Sequence, residues 1–249
     1  MPAQPQCPGG HRVLGCQQAV ARRPVTPLLS IIVPALSEAA GIVATLSALA
    51  PLRARGAELI VVDGGSEDGT PTLAGPWADR VIAGPRGRAR QMNAGAALAR
   101  APVLLFLHAD TRLPEAADGL IQAAIAQGAG WGRFDVHISG RAWMLRVVAG
   151  MMNLRSRLTG IATGDQAMFV TRTAFERAGG FPDQPLMEDI ELSLRLRQQA
   201  PPACLRQRVV TSGRRWEQRG VWRTIWLMWR LRWRYWRGES PQVLAEAYR

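Results

Sequence analysis

Short β-branched runs alternate with longer stretches of helical period through the first half of the chain. The runs 29–33, 58–62 and 103–107 are almost wholly apolar, and 79–83 adds a shorter apolar run, Val81-Ile82-Ala83, behind Asp79-Arg80. Runs of this length bounded by turn residues read as buried strands. The first ends at Pro34, the second at Asp63, and the 103–107 run at His108-Ala109-Asp110. Between them, Ser37-Glu38 is read as opening a helix to about Arg55, with Ser37 as its N-cap. Further helices are predicted over 88–100 and 115–127. Strand alternating with helix over 29–127 predicts βαβ units and a mostly parallel sheet. Groups at the carboxyl ends of such strands face a ligand crevice, and Glu38, Asp63 and Asp110 stand at or near those ends. Gly64 and Gly65 follow Asp63 and allow close backbone approach.

The rhythm changes after residue 130. Residues 131–138 alternate like a half-exposed strand, and 141–158 form an apolar helix that carries Arg146, Arg155 and Arg157. Another strand is predicted at 166–170 and an amphipathic helix at 188–199, opening on Glu188-Asp189-Ile190-Glu191. A last strand over 205–211 precedes a long helix over 217–237 and a short one over 241–247. The expected organisation is α/β. A disordered arm (1–27) leads into one domain (28–215) with a mostly parallel half-sheet and a mixed half, followed by an Arg/Trp-rich helical tail (216–249).

Composition sharpens this in three ways. The net charge of +12 lies mostly in the tail: residues 205–249 hold 11 Arg and 3 acids, whereas 1–204 hold 20 Arg and 16 acids. An anionic surface is therefore the expected partner of the tail. Every basic residue is Arg, which excludes a Walker A or Schiff-base lysine. Cys7, Cys16 and Cys204 fit no zinc spacing, so reduced thiols and a cytoplasmic location are expected. No run of about 18 uncharged apolar residues predicts a membrane-spanning helix.

Four motifs in order, Ile31-Ile32-Val33-Pro34 with Ser37-Glu38, Val61-Val62-Asp63-Gly64-Gly65-Ser66-Glu67-Asp68-Gly69-Thr70, Phe106-Leu107-His108-Ala109-Asp110 and Glu188-Asp189-Ile190-Glu191-Leu192, resemble those of the family 2 inverting glycosyltransferases of the GT-A fold. The segments 86–93 and 164–166 resemble the short bacterial transferases of arsenosugar biosynthesis within it. The resemblance implies a GT-A-like fold, a UDP- or GDP-linked sugar donor and a divalent cofactor, Mn²⁺ or Mg²⁺. It implies that Pro34, Glu38 and Asp63 meet the nucleoside, with Arg88 and Gln91 beneath the diphosphate and sugar. It makes Asp110, with His108 in place of the usual first aspartate, the metal site, since Mn²⁺ tolerates an imidazole. It implies Asp189 as the general base that deprotonates the acceptor hydroxyl. Glu188, Arg215 and Trp216 are expected near the acceptor or the diphosphate.

Two other classes compete. A sugar-phosphate nucleotidyltransferase shares the nucleotide-binding half but leaves Asp189 without a task. An Arg/Trp-rich nucleic-acid binder leaves the carboxylates at the strand ends unexplained, so no nucleic-acid partner is expected. In the tail, Trp222, Trp226, Trp229, Trp233 and Trp236 recur at steps of 4, 3, 4 and 3 and form one helical stripe. Leu227, Met228, Leu231 and Tyr235 lie opposite, with arginines between. One face is expected on the domain. The Trp face is expected on a partner subunit, under the 241–247 helix, or in an anionic membrane interface at the inner membrane face.

Overall fold

A computed structural model describes residues 26–248, apart from the Arg215 side chain. The disordered-arm expectation for 1–27, and Cys7 and Cys16, fall almost wholly outside the described residues. The strands are β1 (Leu29–Ala35), β2 (Glu58–Asp63), β3 (Arg80–Ala83), β4 (Val103–Phe106), β5 (Thr111–Arg112), β6 (Trp131–Ser139), β7 (Met168–Thr171) and β8 (Ala203–Ser212). The helices are α1 (Ile42–Ser47), α2 (Ala50–Ala54), α3 (Thr70–Ala74), α4 (Arg88–Leu98), α5 (Ala117–Ala126), α6 (Met144–Thr159), α7 (Arg172–Arg177), α8 (Glu188–Gln199), α9 (Arg214–Arg219), α10 (Val221–Trp236) and α11 (Pro241–Tyr248).

The strands form one sheet in the order β3-β2-β1-β4-β7-β6-β8-β5. The half built from β1 to β4 is all parallel. The other half is mixed: β7 is antiparallel to β4 and β6, whereas β6 and β8 run parallel. Period-2 alternation sorts the core into two layers. Ile31, Val33, Leu59, Val61 and Leu105 face α1, α2 and α5, while Ile32, Ile60, Val62, Leu104 and Phe106 face α4, α7 and α8. Gly95 makes the second layer close: a Cβ there would lie 2.5 Å from the Ile32 side chain, so α4 lies directly on the sheet.

Several boundaries differ from the sequence reading. Pro34 does not end β1, which runs on to Ala35 with Pro34 paired to Val62. The β4 ladder stops at Ile32–Phe106, so the missing N–H of Pro34 falls beyond it and costs no hydrogen bond. Ser37 is no N-cap. It sits in the left-handed region at φ 56°, and the first helix starts only at Ile42. Pro51 then divides the predicted helix into α1 and α2. β6 is not half-exposed: it lies between β7 and β8 and buries both faces. Arg133 is fully buried and bonds Asp135, Ser156 and the Asn153 carbonyl. The tail breaks at Gly220 (φ 85°) into α9 and α10.

Candidate active site

β1 lies between β2 and β4: the chain steps outward from β1 to β2 and β3 and then crosses back to β4 on the other side of β1, which opens a crevice at the carboxyl ends of these strands. The loops there build one cleft of about 880 Å³, a size suited to a nucleotide-sized ligand. Pro34 and Glu38 come from the end of β1, His108 and Asp110 from the end of β4, Arg88 from the start of α4, Glu188 and Asp189 from the start of α8, and Trp216 from α9. All of them line it.

The loop after β1 is held by the segment after β2. Backbone N–H groups of Ser37, Glu38 and Ala39 donate to Ser66 Oγ, Thr70 Oγ1 and Asp68 Oδ2 at 2.8–3.0 Å. Asp63 organises that segment. Its carboxylate accepts from the Gly65 and Ser66 N–H groups at 3.0 and 2.9 Å and from Ser66 Oγ at 2.5 Å. Gly65 makes this turn at φ 92°. Asp63 is buried at the carboxyl end of β2, where it holds the turn that supports the β1 loop. Gln91 has a structural position of its own. It is buried, and its amide donates to the carbonyls of Ala35 and Val62 at 2.8 Å each. It joins β1 to β2.

Charge in the cleft is partly paired. Arg88 stands 3.7 Å from Glu188, and Arg214 stands 3.9 Å from Glu38. Burial, then the Asp110 charge, raises the Glu38 carboxyl above its ordinary range. Burial, then Asp189, does the same to Glu188. Asp189 is fixed from two sides: Gly164 N–H donates to Oδ2 and Ile190 N–H to Oδ1, both at 2.8 Å. A carboxylate so fixed, and facing a cleft, is arranged to take a proton from a hydroxyl that enters there.

The two metal candidates differ. His108 Nδ1 stands 3.3 Å from Asp165 Oδ1, and its Nε2 edge packs on Gly164. Both ring nitrogens thus have protein neighbours. Asp110 presents a carboxylate to the cleft. No group of three or more His, Cys, Asp or Glu side chains among the described residues forms a metal cage. Asp110 fits a divalent ion that takes its other ligands from a phosphate-bearing substrate, and His108 lines the same cleft.

Residues given no site role from the sequence also line the cleft, among them Arg155, Asp165 and Arg214. Nε and Nη2 of Arg155 are buried with no hydrogen-bond partner. Burial lowers its pKa, and the Asp189 charge opposes that. Three arginines on an otherwise apolar helix were the only signal in the sequence. The expectation for Arg215 concerns a side chain outside the described residues; its neighbour Arg214 is the one seen in the cleft.

The family described as Glycosyl transferase family 2 matches residues 30–175. A curated relative from Mycobacterium bovis (strain BCG / Pasteur 1173P2), "PGL/p-HBAD biosynthesis glycosyltransferase", is 40% identical over 97 residues, which is 36% of this chain and 38% of that protein. The match thus spans well under half the relative's length. Among solved structures, the mannosyltransferase PcManGT from Pyrobaculum calidifontis in complex with GDP-Man and Mn²⁺ aligns at TM-score 0.60 and 22% identity over 92% of this chain and 71% of that one. S. aureus TarS 1–349 in complex with UDP aligns at TM-score 0.60 and 16% identity over 74% and 60%. These likenesses confirm the GT-A type of fold.

Proposed function

The chain belongs to glycosyl transferase family 2, and from that premise we propose that it is an inverting transferase, moving a sugar from a UDP- or GDP-linked donor to an acceptor hydroxyl. One observation carries the reading: Glu38, Asp110 and Asp189, more than 70 residues apart between neighbours, meet in one cleft at the strand ends. A nucleotidyltransferase gives Asp189 no work, and a nucleic-acid binder has no use for carboxylates facing the phosphates.

In this reading Pro34 and Glu38 border the nucleoside, on a loop held by the Asp63–Thr70 scaffold. Arg88 and Arg214 supply guanidinium groups for the diphosphate, since their planar forks suit phosphate oxygens. A divalent ion on Asp110, Mn²⁺ or Mg²⁺, would neutralise charge on the leaving nucleoside diphosphate; solved relatives of the fold carry Mn²⁺. Asp189 removes the acceptor proton as the hydroxyl attacks the anomeric carbon from the face opposite the leaving group. Glu188, raised by burial, holds its proton more readily and leaves Asp189 as the base of the pair.

Residues 28–215 carry the catalytic carboxylates, and the tail, 216–249, lines one side of the cleft and meets an anionic membrane peripherally. No helix among the described residues is long and apolar enough to cross a membrane. The arsenosugar-type subgroup is proposed on segments 86–93 and 164–166 alone, because the matched relatives are named for PGL/p-HBAD biosynthesis. A thermal-shift screen of UDP, GDP and their sugars with Mn²⁺ and Mg²⁺ tests the donor class, since a ligand specific to the folded state raises the melting temperature. One nucleotide that stabilises the protein only with metal is the expected result. No shift with any of them counts against the reading.

A further inference from the structure

The tail helix has chosen its inner face. Leu231 is buried against Met187 and Leu244, with Leu227, Met228 and Tyr235 beside it. The short helix α11 packs on this same inner side through Leu244, so it does not cover the tryptophans. Trp222, Trp226, Trp229, Trp233 and Trp236 remain 58–80% exposed.

A second stripe lies on α6. Val147, Met151, Leu154 and Leu158 recur at steps of 4, 3 and 4, follow Trp143, and are all exposed. The two stripes meet at the cleft: Met151 and Trp229 both line it, so α6 and α10 flank the mouth of the candidate active site. Helices α6 and α10 contain three and four arginines and no carboxylate. Arg146, Arg223, Arg230 and Arg237 are exposed. Arg230 lies over the Trp226 ring and Arg237 over the Trp233 ring, both at 5.3 Å.

We propose that α6 and α10 together form one docking face for an anionic lipid surface, and that the acceptor hydroxyl enters the cleft from that surface on an amphiphilic molecule. This deepens the glycosyltransferase reading and rests on it for the acceptor. Indoles with guanidinium groups beside them suit the headgroup zone, and Arg stems reach lipid phosphates while their chains stay in apolar surroundings. Two features disfavour other occupants. A second copy would bring arginine-rich faces together with no carboxylate on either helix to answer them. A single-stranded nucleic acid would stack on the tryptophans but gain little from the aliphatic stripe of α6, which suits acyl chains.

Flotation with vesicles of phosphatidylcholine alone, and with roughly three-tenths phosphatidylglycerol, tests the face. The protein is expected to float with the anionic vesicles, and less so at high salt. Leu154→Ser with Leu158→Ser on α6, and Trp226→Ser with Trp233→Ser on α10, are each expected to weaken binding about tenfold or more. None of the four residues lines the cleft, so both variants should keep nucleotide-induced thermal stabilisation. Wild-type protein that remains soluble beside anionic vesicles overturns the proposal. So does an α6 double variant that floats like wild type, or tryptophan exposure lost through dimers in sedimentation. Flotation without any nucleotide binding would leave the docking face standing and count instead against the transferase reading.

Discussion

Gly164 backs directly onto the imidazole of His108: a Cβ on Gly164 would lie 2.3 Å from His108 Nε2. With Nδ1 next to Asp165, this packing uses the ring to seat the 164–165 loop, and that loop in turn holds Asp189 through the Gly164 N–H. Asp110→Asn is therefore expected to cut metal-dependent nucleotide affinity by about 10–100-fold, the scale of a damaged metal site. His108→Ala should change it much less. Titrating the preferred nucleotide with and without Mn²⁺ checks both. Equal losses in the two variants would make His108 a ligand after all.

Gln91 makes a stability prediction. Gln91→Leu removes the side-chain donor that the Ala35 and Val62 carbonyls share, while the Ala35 carbonyl keeps the Gly64 N–H, at a cost of about 1 kcal/mol. Urea unfolding should show the loss, with nucleotide affinity of the folded protein little changed. Unchanged stability with lost nucleotide affinity would return Gln91 to the ligand.

Arg155 should behave in the opposite way. A buried guanidinium with Nε and Nη2 unpartnered is a cost to the fold, and apolar replacement of buried charge is often neutral or stabilising. Arg155→Met is expected to unfold at the same or a higher urea concentration than wild type, yet to turn over about tenfold or more slowly, having lost a fixed positive charge beside Asp189. A variant that is less stable but fully active would make Arg155 a packing residue.

Glu188 predicts a pH dependence. Its raised folded pKa means that the folded chain holds a proton the unfolded chain has released. That contribution to stability is present at low pH and is lost as pH rises through the folded value. Glu188→Gln removes the ionisation. The variant should match wild type near about pH 4 and exceed it in melting temperature toward about pH 7. A gap that stays constant with pH, or narrows as pH rises, would contradict the burial of an ionisable Glu188.

The parallel half of the sheet was readable from sequence because strands buried on both faces are continuous apolar runs. β1, β2 and β4 were found with boundaries off by two residues at most. β6 was misread because a buried ion pair, Arg133 with Asp135, puts polar residues at alternate positions and imitates solvent exposure. Ser37 looked like a cap because the partners of its loop, Ser66 for Ser37, Thr70 for Glu38 and Asp68 for Ala39, lie about 30 residues away and meet it only in the fold. The cleft carboxylates were legible as strand-end or helix-start acids. What sequence could not separate was facing the cleft from supporting it. Asp63 and Gln91 stand beside Glu38 and Arg88 in the motifs, but their hydrogen bonds run inward. The two faces of α10 were visible from spacing; only the position of α11 decided which is covered.

The most direct test of the account compares wild type with Asp189→Asn for release of nucleoside diphosphate from the preferred nucleotide sugar, with amphiphilic alcohols offered beside water as the acceptor hydroxyl, Mn²⁺ present and donor affinity measured alongside. The amide is nearly the same shape but takes no proton. Release should fall about 10²–10⁴-fold, while donor affinity stays near that of wild type. Wild-type release by the variant would contradict a transferase in which Asp189 is the base.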